Sequence, residues 1–205
     1  MTTTIRRKFR VSRQMKASLW GSQKDPVHKR NYGPGQHGRA PVKKISDFYK
    51  QNAAQRAFRT YYVIGKKQFA NVFGKAYRGK GNTNDNLISL LESRVSSVLY
   101  RSGMVPTIFA ARQLVSHKHV TVNGEIVNIC SFTLKEGDVV QIRDRASNIP
   151  CVVAALASNS ETPHYLEVNR EKRSVKLLVL PKFEDVPYPV VMEPNLVTEY
   201  FSSKM

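Results

Sequence analysis

The chain has 205 residues, of which 41% are hydrophobic and 23% charged; a core can form, as one large domain or two small ones, and wholesale disorder is excluded. Thirty-three Lys and Arg oppose fifteen Asp and Glu for a formal charge of +18, and residues 1–80 hold 20 of the cations with only Asp25 and Asp47, while residues 81–205 hold 13 of each sign. No apolar run reaches the roughly 18 residues of a membrane span, no apolar segment follows the basic start as in a secretory signal, and Cys130 and Cys151 are too few for a disulfide scaffold and too isolated for a metal site. These features point to a cytosolic protein that binds a polyanion, since the basic half would otherwise repel itself.

Residues 1–46 are basic and rich in turn formers, with Gly33-Pro34-Gly35, Gly38 and Pro41. Hydrophobic periodicity is weak there, so loops and short helical pieces that order on a partner are expected. Arg6, Arg7, Lys8 and Arg13 belong to this patch. From Asp47, a candidate N-cap, apolar residues recur at Phe48, Ala54, Phe58, Tyr61 and Tyr62, then at Phe69, Val72 and Phe73. The spacing predicts two helices broken near Gly65, with Phe48, Phe58 and Phe69 in the core. Between them lie Lys50, Arg56, Arg59, Lys66, Lys67, Lys75 and Arg78. That face is either ordinarily solvated or turned to phosphates; the scarcity of acids favours the second.

After a basic link at residues 78–84, Asn84 or Asp85 can cap a helix with the stripe Leu87, Leu91, Val95, Val98. Gly103 ends it, and Thr107 is the expected N-cap of a second helix carrying Ile108, Ala111, Leu114 and Val115 on one face. Asn123-Gly124 between two period-two runs predicts a hairpin with a type I′ turn. Further strands are expected at 130–134, 138–143, 151–156, 165–169 and 174–180, and a helix near 196–201.

No nucleophile elbow, Walker loop, dinucleotide fingerprint or zincin helix occurs. The five histidines are scattered, and His117 and His119 share no common face for a ligand pair. Arg94 and Arg101, seven apart in one helix, should project from nearly the same side, followed by Arg112, Gln113, His117 and Lys118. Such a set suits a nucleic-acid backbone, and it equally suits the solubility of two amphipathic helices.

The run Glu92-Ser93-Arg94-Val95, Tyr100-Arg101-Ser102-Gly103-Met104, Ala111-Arg112-Gln113-Leu114-Val115-Ser116-His117-Lys118 and Val122-Asn123-Gly124 resembles the RNA-binding module of bacterial-type small-subunit ribosomal protein four. Pro34-Gly35-Gln36-His37-Gly38 resembles that family's N-terminal loop, and Val197-Thr198-Glu199-Tyr200-Phe201-Ser202 its C-terminal helix, so the likeness spans nearly the whole chain. It implies an α+β protein: a basic extension over 1–46 that orders on RNA, a helical domain from 47–90 with 176–205, and an inserted helix–turn–helix plus antiparallel-sheet module over 91–175.

The resemblance also implies function. The family binds a helical junction in the 5′ domain of 16S-type ribosomal RNA, acts early in subunit assembly, and contacts ribosomal proteins three and five. It influences decoding accuracy, and some members repress their own messenger RNA. Carried onto this chain, the RNA contacts are Arg94, Arg101, Arg112, Gln113, His117, Lys118 and Asn123 in the module, with Gln36, His37, Arg39 and Lys43 in the N-terminal region. Many members bear a zinc knuckle before this loop; here no Cys precedes Cys130, so no metal and no cofactor are expected. Near the start, Arg6-Arg7 stands where many members have Gly-Pro, which extends the phosphate-binding patch. Two other readings are a general DNA-associated basic protein and an RNA-modifying enzyme that shares the module. The enzyme would need a second α/β domain, for which the residues outside the module leave no room.

Overall fold

A computed structural model of the chain describes residues 8–40, 44–158 and 161–203. The helices are α1 (Arg10–Met15), α2 (Asp47–Tyr61), α3 (Lys66–Arg78), α4 (Thr83–Glu92), α5 (Val95–Arg101), α6 (Ile108–Ser116), α7 (Pro150–Ala157) and α8 (Pro194–Ser202). The strands are β1 (Val120–Val122), β2 (Glu125–Val127), β3 (Val139–Ile142), β4 (Leu166–Asn169) and β5 (Ser174–Leu177). The fold is therefore mixed α+β. Two compact units form, one from residues 1–71 with 188–205 and one from 72–187. The first boundary falls inside α3, and the positions 90 and 176 expected from the sequence lie within the second unit.

The first unit is organised by aromatic residues. Phe58, Tyr61, Tyr62 and Phe69 are buried, as are Leu19 ahead of them and Val197 and Tyr200 on α8. Each contributes about 1.5–3 kcal/mol by leaving water. Tyr188 meets Tyr61 edge-on at 5.3 Å, and its hydroxyl hydrogen-bonds that of Tyr62. Trp20 donates its indole N–H to the Tyr61 carbonyl at 3.2 Å, so the segment before α2 is packed against it. The N-cap of α2 is Ser46, whose hydroxyl accepts from the Tyr49 amide at 3.3 Å, not Asp47. The break near Gly65 is made by Val63, which takes a left-handed φ of 54° while the Ile64 amide reaches back to the Arg59 carbonyl. Phe48 corrects the sequence reading: it is 55% exposed and only flanks Tyr200, at 6.0 Å between ring centroids. Its position on the first turn of α2 carries it past the edge of the core.

The second unit holds an antiparallel sheet in the order β2-β1-β3-β5-β4. Val120, Val122, Val140, Ile142, Val175 and Leu177 form one buried core with Val95, Val98 and Leu99 of α5 and Leu114 and Val115 of α6. The hairpin forms as its sequence predicts, with Asn123 and Gly124 both at positive φ (50° and 87°). Thr107 caps α6 by accepting from the Ala110 amide at 3.2 Å.

Four expectations fail here. The single helix across residues 87–98 is broken: Ser93 closes α4 and Arg94 is extended (φ −70°, ψ 138°), linked to Thr133 by an isolated antiparallel bridge. Burial is continuous from Leu91 to Leu99, so the apolar stripe conceals the break. The strand expected at 130–134 reduces to that bridge. The strand expected at 151–156 is α7, started by Pro150, whose fixed φ and missing N–H suit a first helical turn. The cap of α4 is Asn82, not Asn84 or Asp85.

Candidate nucleic-acid interface

In the first unit, α1, α2 and the 31–40 loop surround two basic hollows. The smaller, ≈ 320 Å³, is lined by Lys8, Arg10, Arg13 and Arg30, and the larger, ≈ 870 Å³, by Arg10, Lys16, Arg39, Arg56 and His37. Among the described residues no carboxylate lines either. The loop is rigidly built. Gly33 and Gly38 approach so closely that a Cβ on Gly38 would lie 1.9 Å from the Gly33 carbonyl oxygen, which makes glycine obligatory there. Gly35, at φ 94°, closes the turn and leaves Gln36 and His37 exposed at the tip. Arg13 donates to the Gly33 carbonyl at 3.0 Å, and the guanidiniums of Arg13 and Arg39 lie 4.9 and 4.8 Å from the centre of the Tyr32 ring. The Arg39 hydrogen bond, reinforced by the charges of Arg39, Arg30 and Arg13, lowers the Tyr32 phenol pKa. Arg59 on α2 is lowered as well, by burial and then by Arg56. Lys66 and Lys67 are exposed on the first turn of α3.

In the second unit, Arg94 is 3% exposed, with its Nε buried and unsatisfied. Burial first, then the charge of Arg112, pushes its pKa down to about 10. Among the described residues no carboxylate pairs with it. Arg112 is half-buried on α6; Gln113 and His117 are exposed on and after that helix, and Lys118 follows at a left-handed φ of 61°. The Cys130 thiol donates to the Arg112 carbonyl at 3.3 Å, fixing that turn of α6.

Two expected contacts are turned into the fold. Arg101 does not share a helix side with Arg94, because the chain breaks between them; its guanidinium holds Glu92 and the Pro187 carbonyl. Asn123 spends its amide on Asp138 and its carbonyl on the Val139 amide, both at 2.9 Å. Arg6, Arg7 and Lys43 lie outside the described residues. Sequence reasoning missed Arg10, Lys16 and Arg56 as neighbours of Arg39, since residues far apart in sequence have no common periodicity. Lys29-Arg30 just before Tyr32, with Arg39 seven residues after it, were the available signal.

Comparison with known proteins covers most of the chain. Residues 4–92 match the model of the ribosomal protein S4/S9 N-terminal domain, and residues 93–140 that of the S4 domain. The chain is 97% identical over 205 residues to small ribosomal subunit protein uS4 of Neorickettsia sennetsu, covering all of both. It is 55% identical over 199 residues to uS4 of Ehrlichia canis, covering 97% of this chain and 98% of that protein. Against uS4 of Wolbachia pipientis wMel it is 54% identical over 203 residues, covering 98% and 100%.

Proposed function

The chain belongs to the small ribosomal subunit protein uS4 family, and from that premise we propose that it is a structural constituent of the small ribosomal subunit, held there by direct binding to ribosomal RNA. It acts on the cytoplasmic ribosome and is not an enzyme. The observation that carries the RNA reading is Arg94: a buried guanidinium beside Arg112 with no acid to pair with among the described residues. A cation held that way is costly unless an external anion completes it, and a phosphate oxygen does so with short, charge-assisted hydrogen bonds.

Attachment is electrostatic and sequence-independent; counterions leave the phosphates as Lys and Arg take their place. Recognition is by shape, because the module presents its cations from the start of α5, from the middle of α6 and from the turn after it. We assign the contacts to Lys8, Arg13, Gln36, His37, Arg39, Lys66 and Lys67 in the first unit, joined there by Arg10, Lys16, Arg30 and Arg56 of the two hollows, and to Arg94, Arg112, Gln113, His117 and Lys118 in the second. Arg6, Arg7 and Lys43 extend the same basic sequence. The RNA target is a helical junction of the 5′ domain, bound early in assembly. The same face would take a similar fold in the protein's own messenger. Ribosomal proteins three and five are the protein neighbours, and through them the chain influences accuracy; exposed Leu178, Val179 and Leu180 offer an apolar contact strip.

The test is Arg112→Ala in filter binding to a 5′-domain junction RNA. A fall in affinity of about 1.5–3 kcal/mol with an unchanged melting curve is expected. Unchanged affinity, or equal binding to random duplex DNA, would refute the reading. Retention on small subunits through a high-salt wash checks the assignment on the particle.

A further inference from the structure

We propose that the ≈ 870 Å³ cleft of the first unit is a binding site for a nucleoside polyphosphate, either free or as the 5′ end of a transcript, and that this ligand competes with ribosomal RNA for the same cations. The proposal deepens the RNA-binding reading and rests on it for the competition alone.

The volume lies within the range of small-molecule sites. Arg10, Lys16, Arg39 and Arg56 come to one cleft from α1, the 31–40 loop and α2, and none of them forms an ion pair with a carboxylate among the described residues. A backbone phosphate brings a single charge. Four converging cations instead suit linked phosphates, whose charges are concentrated in a small space. Guanidinium forks would hold such phosphates bidentately, and Lys16 would add a mobile point charge.

The rest of the lining suits a nucleoside. Tyr49 is 45% exposed, and its hydroxyl accepts from the Gln14 amide at 3.0 Å, which holds the ring in place. A base can stack on such a ring. Asn31 and His37 also line the cleft and supply hydrogen-bonding groups for base edge or ribose. The close approach of Gly33 and Gly38 keeps the loop wall in position before any ligand arrives.

The experiment is a titration of the full-length, RNA-free protein with a fluorescent nucleoside triphosphate. Saturable one-to-one binding is expected. Arg39→Gln with Arg56→Gln should weaken it about a hundredfold, at about tenfold for each charge-assisted hydrogen bond removed. Lys16→Gln, at an exposed position outside the core, should weaken it about tenfold on the same scale and serves as the second variant if the double one misfolds. Lys172→Gln with Lys176→Gln removes the same charge from the other unit and should leave affinity unchanged. Equal weakening by that control would show bulk electrostatics and overturn the proposal. So would tripolyphosphate binding as tightly as the nucleoside triphosphate. Tighter binding of a short 5′-triphosphate RNA than of its 5′-hydroxyl counterpart assigns the transcript end; equal binding of the two, with tight free nucleotide, assigns the free ligand. Junction RNA should displace bound nucleotide; nucleotide that stays bound at saturating junction RNA would overturn the competition. The Arg112→Ala measurement tests the RNA reading independently, because Arg112 lies in the other unit.

Discussion

Arg101 grips Glu92 through two nitrogens, Nε at 3.2 Å from both carboxylate oxygens and Nη2 at 2.9 Å from Oε1. Both side chains are almost wholly buried, Tyr165 adds a hydroxyl to the same carboxylate at 3.4 Å, and the remaining Arg101 nitrogen donates to the Pro187 carbonyl at 2.8 Å. The pair ties the end of α5 back to the end of α4 across the break at Arg94.

Removing one member leaves the other charged and buried. Arg101→Ala should therefore destabilise the protein by about 3–5 kcal/mol. Urea unfolding measures this; a midpoint within error of the parent would show that the pair is replaced by water. Among the Arg residues expected on the RNA face, Arg101 should stand apart in lowering stability, whereas Arg112→Ala should spare it.

Arg94 predicts the opposite balance. Its guanidinium is buried without a carboxylate among the described residues, so Arg94→Met should stabilise the RNA-free protein by about 1 kcal/mol or more, while weakening junction RNA at least about tenfold. Both readouts are needed, from thermal unfolding and filter binding. A destabilised variant would mean that Arg94 is held by the fold itself.

Salt dependence reports on the basic hollows. Deleting residues 1–46 is a poor test, because Leu19 is fully buried and Trp20 is bonded to Tyr61. Substituting Arg10, Arg30 and Arg39 by Gln keeps those interactions. For every phosphate that no longer meets a cation, the slope of log affinity against log salt should fall by about 0.7–0.9, and for the triple variant by about 2–3. An unchanged slope would make the hollows solvated surface.

His119 supplies a pH signature. Its Nδ1 is buried without a hydrogen-bond partner. Burial, followed by the charges of Arg145, His117 and Arg143, holds its pKa below the ordinary value of 6.5. The folded state thus favours neutral imidazole. Its contribution to stability is complete above pH 6.5 and is lost as pH falls through the lower folded value. Urea midpoints of the parent should decline over that interval more than those of His119→Gln. Parallel curves would assign the decline to other groups.

What was legible in the sequence was whatever local chemistry imposes. Asn123-Gly124 accepts the positive φ of its turn in any context, Thr107 caps the helix that follows it, and the apolar spacing from Phe58 to Phe73 separates two helices. The excess of Lys and Arg before residue 80 announces an anionic partner without reference to any fold. Tertiary structure decided the rest. The stripe from Leu87 to Val98 continues through the break at Arg94 because both sides of it are buried, so periodicity carries no mark of the turn. Arg94 and Arg101 are the same residue type seven positions apart, yet one lacks an acid among the described residues and the other encloses Glu92. That difference depends on how the backbone folds between them, and a guanidinium's role follows from which carboxylate is brought within reach, a distance that composition and spacing do not contain.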